Sequence, residues 1–309
     1  MTYVLLVAGL ALLLIGGEFL VRGGMSLAGH FRISPMVIGL TVVSFGTSAP
    51  ELVVSLDAAI LGHPDISLGN VIGSNISNIA FVLALTVIIT PFVVSRREII
   101  DDMIIMTGTF VLLLIMLNDL KFSRYEGLIL LALLLAYIYR SIRNDRRHLI
   151  ARPADIKYSL PVSVLIIILS SLGLVTGADL LVNSAGEIAA GMGVSERVIS
   201  VSVIAVGTSL PELATSVMAA LRKKNGISIG NVVGSNIFNV LAILGITASV
   251  KPFTIKDTGF TRDMYWMIGI AILLIIMVLP SKSARLGRWK GIFLAVVYFS
   301  YIYLVFFVR

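Results

Sequence analysis

A glutamate directly follows a proline inside an apolar run in GTSAPELVVS, residues 46 to 55, and the arrangement returns as GTSLPELATS at 207 to 216. The second copy lies 161 residues after the first, and the shift lays 46–78 over 207–239 without a gap. In that window 19 of 33 positions are identical, and ISLGNVIGSNISN falls on ISIGNVVGSNIFN. Weaker similarity upstream sets Glu18 over Asp179 and Ser34 over Ser195. An internal repeat of this length constrains the fold more than any single element, because both copies must be built alike.

The surroundings of the repeat identify the solvent. Of 309 residues, 58% are hydrophobic and 13% charged, and the mean hydropathy is +1.01, outside the range of soluble domains. Runs near 20 residues recur, each able to cross about 30 Å of hydrocarbon. Ten spans are expected: 3–24, 34–61, 66–92, 99–118, 124–142, 158–186, 195–221, 226–250, 263–280 and 289–308. The first run lacks a basic leader and a small-residue cleavage site, so it is expected to be a retained span. There is no cysteine, which excludes disulfides, thiolate metal sites and thiol catalysis. The net charge of +7 sits between apolar runs, where membrane topology explains it better than nucleic-acid binding does.

With both termini outside, 17 of the 24 Lys and Arg residues fall in inside loops and 7 outside, as the positive-inside rule requires. The basic segment 143–157 then divides the chain into residues 1–142 and 158–309, five spans each. The loop inside the first copy, LGHPD, has no Lys or Arg, and its counterpart is RKKN. Matching motifs with opposed flanking charge are expected of inverted-topology repeats, a transporter architecture. The expected fold class is therefore an all-α polytopic membrane protein: two inverted five-helix repeats, with discontinuous helices at an ion site.

A carboxylate at mid-membrane costs about 2.5–3.5 kcal/mol even on a lenient scale. Glu51 and Glu212 carry that cost, and packing gives no reason for it. Pro50 and Pro211 free the carbonyls of Gly46 and Gly207. Thr47, Glu51 and Ser55 share one helical face, as do Thr208, Glu212 and Ser216. In the next span Asn70, Ser74 and Asn78 line up, matched by Asn231, Ser235 and Asn239. Carboxylate, hydroxyl and amide oxygens suit calcium or sodium; the absence of His and Cys among them argues against zinc or copper. His30, His63 and His148 lie near span ends. Serine, threonine and glycine also serve helix packing, and Gly69, Gly73, Gly230 and Gly234 are read that way. Glu18 has Arg22 one turn on and is expected to pair with it. Asp57 and Asp179 are candidates for an access path.

The doubled G-T-S-x-P-E and G-N-x-x-G-S-N motifs resemble the paired alpha repeats of the calcium/cation antiporter superfamily, in its sodium/calcium exchanger branch. The resemblance covers essentially the whole chain. It implies sodium driving calcium out through one site centred on Glu51 and Glu212. Side-chain oxygens would come from Thr47, Ser48, Ser74 and Asn78, and from Thr208, Ser209, Ser235 and Asn239. Backbone carbonyls would come from Ser44 and Ala205. It also implies that the first and sixth spans slide over the bundle, which the glycines at 16–17, 23–24, 173 and 177 would permit. Some family members carry Asp where this chain has Asn239, which leans away from potassium co-transport. The second motif favours sodium over protons, with a proton-coupled calcium/cation antiporter as the alternative. A channel is the more distant rival, because this chain supplies both halves of a site that channels build from oligomeric rings. No hydrolase or phosphate-loop motif is present, so an enzyme is not expected, and neither is a cofactor. The expected partners are calcium and sodium ions and the lipid bilayer, with no nucleic acid, in a monomer of the plasma membrane.

Overall fold

The computed structural model describes residues 1–148, 156–192, 207–257, 259–280 and 283–307. Its helices are α1 (Thr2–Phe31), α2 (Pro35–Thr47), α3 (Ala49–Ile60), α4 (Pro64–Ile89), α5 (Arg96–Met116) and α6 (Arg124–His148). They continue as α7 (Leu160–Gly191), α8 (Leu210–Leu221), α9 (Asn225–Val250), α10 (Phe260–Val278) and α11 (Arg288–Phe307). Among the described residues, eight helices are long and apolar enough to cross a membrane. The count is nine when α2 and α3, bent by 48° at their junction, are taken as one broken span. Residues 195–206 of the expected seventh span lie outside the described residues, Ser195 and Ala205 among them; its remainder ends in α8.

Two spans are longer than their apolar runs suggested. α1 continues past residue 24 to Phe31 because its polar end is held. Ser26 Oγ donates to the Tyr158 carbonyl at 3.0 Å and accepts from the Tyr158 N–H at 3.1 Å, while His30 Nε2 reaches the same carbonyl at 2.8 Å. α7, expected to end at 186, runs to Gly191. These two long helices lie against each other through glycine. A Cβ at Gly9 would stand 2.8 Å from the Gly177 carbonyl, and one at Gly177 would stand 2.9 Å from that of Gly9. Gly16 and Gly23 make similar approaches to Ser170, Leu174 and Ser163 of α7, whereas Gly173 meets nothing within 4 Å among the described residues.

α4 and α9 form the centre. α9 is buried over most of its length, and Ile76, Ile79, Leu83, Val232, Val233 and Ile237 are fully enclosed in the main apolar cluster. The lipid-facing helices are buried on only one side, as α11 is. Four short strands, invisible in the hydropathy pattern, close the ends. β1 (Phe92–Ser95) pairs antiparallel with β4 (Ser283–Leu286), and β2 (Lys121–Phe122) with β3 (Phe253–Thr254). Under the 161-residue shift β1 corresponds to β3 and β2 to β4, so each strand pairs with the other half of the chain.

Candidate functional site

Proline acts differently here from the kink expected of it. The helix breaks two residues earlier, at Ser48 (φ −85°, ψ 11°), and Pro50 sits in the first turn of α3. There its missing N–H costs nothing and its fixed φ suits a helix start. Ser209 (φ −85°, ψ 2°) and Pro211 repeat this at the start of α8. Each glutamate therefore stands in the first turn of a helix, where the positive end of the helix dipole favours a negative charge. Thr47 and Glu51 still face one site, but across a break rather than along one helix.

In the following span the departure is a wide turn. α4 takes π-helical geometry at Asn78–Val82 and α9 at Asn239–Leu244. Both π segments begin on the asparagine that the repeat singles out, and such turns re-aim side chains at functional sites.

Glu51 and Glu212 are fully buried. Both Glu51 carboxylate oxygens and Oε2 of Glu212 have no hydrogen-bond partner among the described residues. Glu212 Oε1 accepts from Ser48 Oγ of the other half at 3.0 Å, and Thr47 Oγ1 lies 3.4 Å from Ser235 Oγ. Of the other candidates, Ser74, Asn78, Ser209, Ser235 and Asn239 are buried, and Thr208 is partly buried. Oδ1 and Nδ2 of Asn78, Oγ of Ser209 and Oδ1 of Asn239 are likewise unpartnered. Buried polar atoms are ordinarily satisfied. Unpartnered oxygens of this kind are what a hard cation coordinates, and among the described residues no group of three or more His, Cys, Asp or Glu is placed to hold a metal ion instead.

The two halves interlock through their asparagines. Asn70 Nδ2 donates to the Glu51 carbonyl at 3.1 Å and to Ser55 Oγ at 2.9 Å. Asn231 Nδ2 repeats both bonds, to the Glu212 carbonyl at 3.4 Å and Ser216 Oγ at 3.0 Å. Asn239 Nδ2 crosses to Asn75 Oδ1 at 3.2 Å. Asn75 and Asn236 close the two G-N-x-x-G-S-N motifs, but the motif alone assigns them no contact.

Other expected residues divide. The Ser44 carbonyl already accepts from the Ser48 N–H at 3.0 Å and lies 3.3 Å from the Thr47 hydroxyl. Gly46 and Gly207 are buried beside α7, where added Cβ atoms would meet Ser171 and Val182. Asp57 and Asp179 are exposed on the surface of the helix bundle. Gly230 and Gly234 do pack closely, with added Cβ atoms 2.7 Å from the Met36 carbonyl and 2.6 Å from that of Leu40. Glu18 meets Arg22 at 2.6 Å as expected. It also meets Arg222 at 2.8 Å, a contact from the other half that no local pattern announces.

The model of the sodium/calcium exchanger protein family matches residues 1–143 and 162–307. The chain belongs to that family. Relatives of this exchanger-family chain include the putative antiporter CaxA of Alkalimonas amylolytica, 34% identical over 98% of both chains. The sodium/calcium exchanger MaX1 of Methanosarcina acetivorans is 27% identical over 99% of both. Among solved structures, the sodium-calcium exchanger NCX_Mj superposes with a TM-score of 0.84 at 31% identity, covering 98% of each chain. A multi-pass membrane transporter, in the cation/calcium antiporter class and not an enzyme, is what family and fold establish.

Proposed function

We propose that the chain exchanges sodium for calcium across the plasma membrane by alternating access, through one central site on Glu51 and Glu212. The observation that carries this is the pair of fully buried glutamates with unpartnered oxygens, one glutamate held by the Ser48 hydroxyl of the other copy. MaX1 and NCX_Mj, each named a sodium/calcium exchanger, support the choice of ions. Thr47, Ser48, Ser74 and Asn78, with Thr208, Ser209, Ser235 and Asn239, complete the side-chain ligands. Carbonyls of Ser44, Ala205, Gly46 and Gly207 are the backbone candidates.

The architecture proposed for this site is ten spans in two inverted repeats, residues 1–142 and 158–309, joined by the cytoplasmic segment 143–157. Both termini lie outside, and the monomer is the working unit. The paired asparagine bonds and the reciprocal strand pairing support the repeat. The close glycine contacts of α1 and α7 suit two helices that slide together over the rest of the bundle.

Exchange follows from charge. Two carboxylates in low dielectric repel, so the empty site is costly and takes up cations or protons. One calcium ion neutralises the pair, and so do two sodium ions; a third sodium leaves a net positive charge. An occupied site crosses between access states, whereas an empty charged one crosses poorly, and that penalty couples the two fluxes. The test is sodium-driven calcium-45 uptake into proteoliposomes. Glu51→Gln and Glu212→Gln each abolish it; near-normal exchange by either variant overturns the assignment. Uptake driven by a pH gradient alone would replace sodium with protons as the coupling ion.

A further inference from the structure

The two copies of the site have the same chemistry but are not in the same condition. Thr47 of the first copy is fully buried and donates from Oγ1 to Asn231 Oδ1 of the second at 3.1 Å. Asn231 is fully buried, and both ends of its amide are used. The mirror-related residues are Thr208 and Asn70. Both are only partly buried, and no hydrogen bond joins them. The Thr47–Asn231 bond also lies on a tight seam. Added Cβ atoms at Gly39, Gly230 and Gly234 would fall 2.7 Å from the Ile227, 2.7 Å from the Met36 and 2.6 Å from the Leu40 carbonyls. Ser44 Oγ closes the same seam by reaching the Asn231 carbonyl at 3.1 Å.

We infer that Asn231 and Asn70 are positioning residues that tie the site shut in turn. Asn231 holds Thr47 in the conformation described here, and Asn70 holds Thr208 in the opposite one. The inference rests on the alternating-access reading above. Thr47 Oγ1 also lies 3.3 Å from the Ser44 carbonyl and 3.4 Å from Ser235 Oγ, and the Asn231 contact is the shortest of the three. Each asparagine meanwhile keeps its Nδ2 on the carbonyl of its own half's glutamate. One amide therefore reports to the carboxylate helix which threonine is engaged.

The chain has no cysteine, so a single introduced thiol is an unambiguous probe. Met36 is 6% exposed and lines the seam beside Gly226 and Gly230. Met36→Cys, in detergent-solubilised full-length protein, is reacted with a maleimide. Asn231→Ala and Thr47→Val are expected to speed labelling about threefold to tenfold, the loss of one hydrogen bond. Asn70→Ala and Thr208→Val are expected to slow it by a similar factor, because they weaken the opposite state. Asn231→Ala combined with Thr47→Val should add nothing beyond either alone. A merely structural role moves all four variants in one direction, and that result, or no change beyond twofold, overturns the proposal. The valine variants are nearly isosteric and carry the same expectation if an alanine variant does not fold. The readout needs no ion flux. Failed sodium-driven calcium uptake in the parent therefore removes the exchange reading, while wrong labelling signs remove only the ties.

Discussion

Glu51 has two unpartnered carboxylate oxygens, whereas Glu212 has one oxygen already held by Ser48, so the two acids are not interchangeable in this conformation. Ser48 orients the Glu212 carboxylate by a charged hydrogen bond, of the kind worth about 1.5–3 kcal/mol. Ser48→Ala is accordingly expected to raise the half-saturating calcium concentration about tenfold, with a smaller effect on maximal rate, in the calcium-45 uptake assay. Glu51, Glu212, Thr47 and Ser48 stood out as candidates because residue type and spacing both repeat. Asn75 did not, since its bond to Asn239 joins residues 164 positions apart.

At the scale of elements, the repeat-related glycines Gly234 and Gly73 are packed unequally. A Cβ at Gly234 meets the Leu40 carbonyl at 2.6 Å, while one at Gly73 meets nothing within 4 Å among the described residues. Gly234→Ala must push α2 from α9 and is expected to cost about 2 kcal/mol, seen as a lower melting temperature in detergent. Gly73→Ala is expected to leave the melting temperature unchanged or raised, because alanine favours a helix by up to about 1 kcal/mol. Arg222 joins the end of α8 to Glu18 in α1, but is half exposed, and Glu18 keeps Arg22. Arg222→Gln should therefore cost no more than about 1 kcal/mol in the same melting assay. Hydropathy placed the spans and missed their interruptions. A break at Ser48 rather than Pro50, and π turns at Asn78 and Asn239, leave no mark on an apolar average.

For the whole molecule, the exchanged strands hold one half to the other at both ends of the bundle. Val93 faces Arg285 and Lys121 faces Thr254 in register. Facing strand residues stand about 4.5–5.5 Å apart, within disulfide reach. Val93→Cys with Arg285→Cys, or Lys121→Cys with Thr254→Cys, should cross-link under mild oxidation and lose maleimide reactivity. If the strands belong to the static frame, calcium-45 uptake continues in the cross-linked protein. Arrest of uptake would instead place the motion at the strands.

The sequence by itself determined the membrane as solvent, an all-helical class of fold and a set of candidate oxygen ligands. Apolar run length, Lys and Arg distribution and a duplicated acidic motif are all local or periodic quantities. Tertiary structure decided how the copies meet: Ser48 on Glu212, Thr47 on Asn231, Asn239 on Asn75 and Arg222 on Glu18. It also decided the inequality of two chemically equal halves, with Thr47 buried and Thr208 partly open. The physical reason is that a repeated sequence encodes one set of interactions twice, and only packing determines which set is engaged.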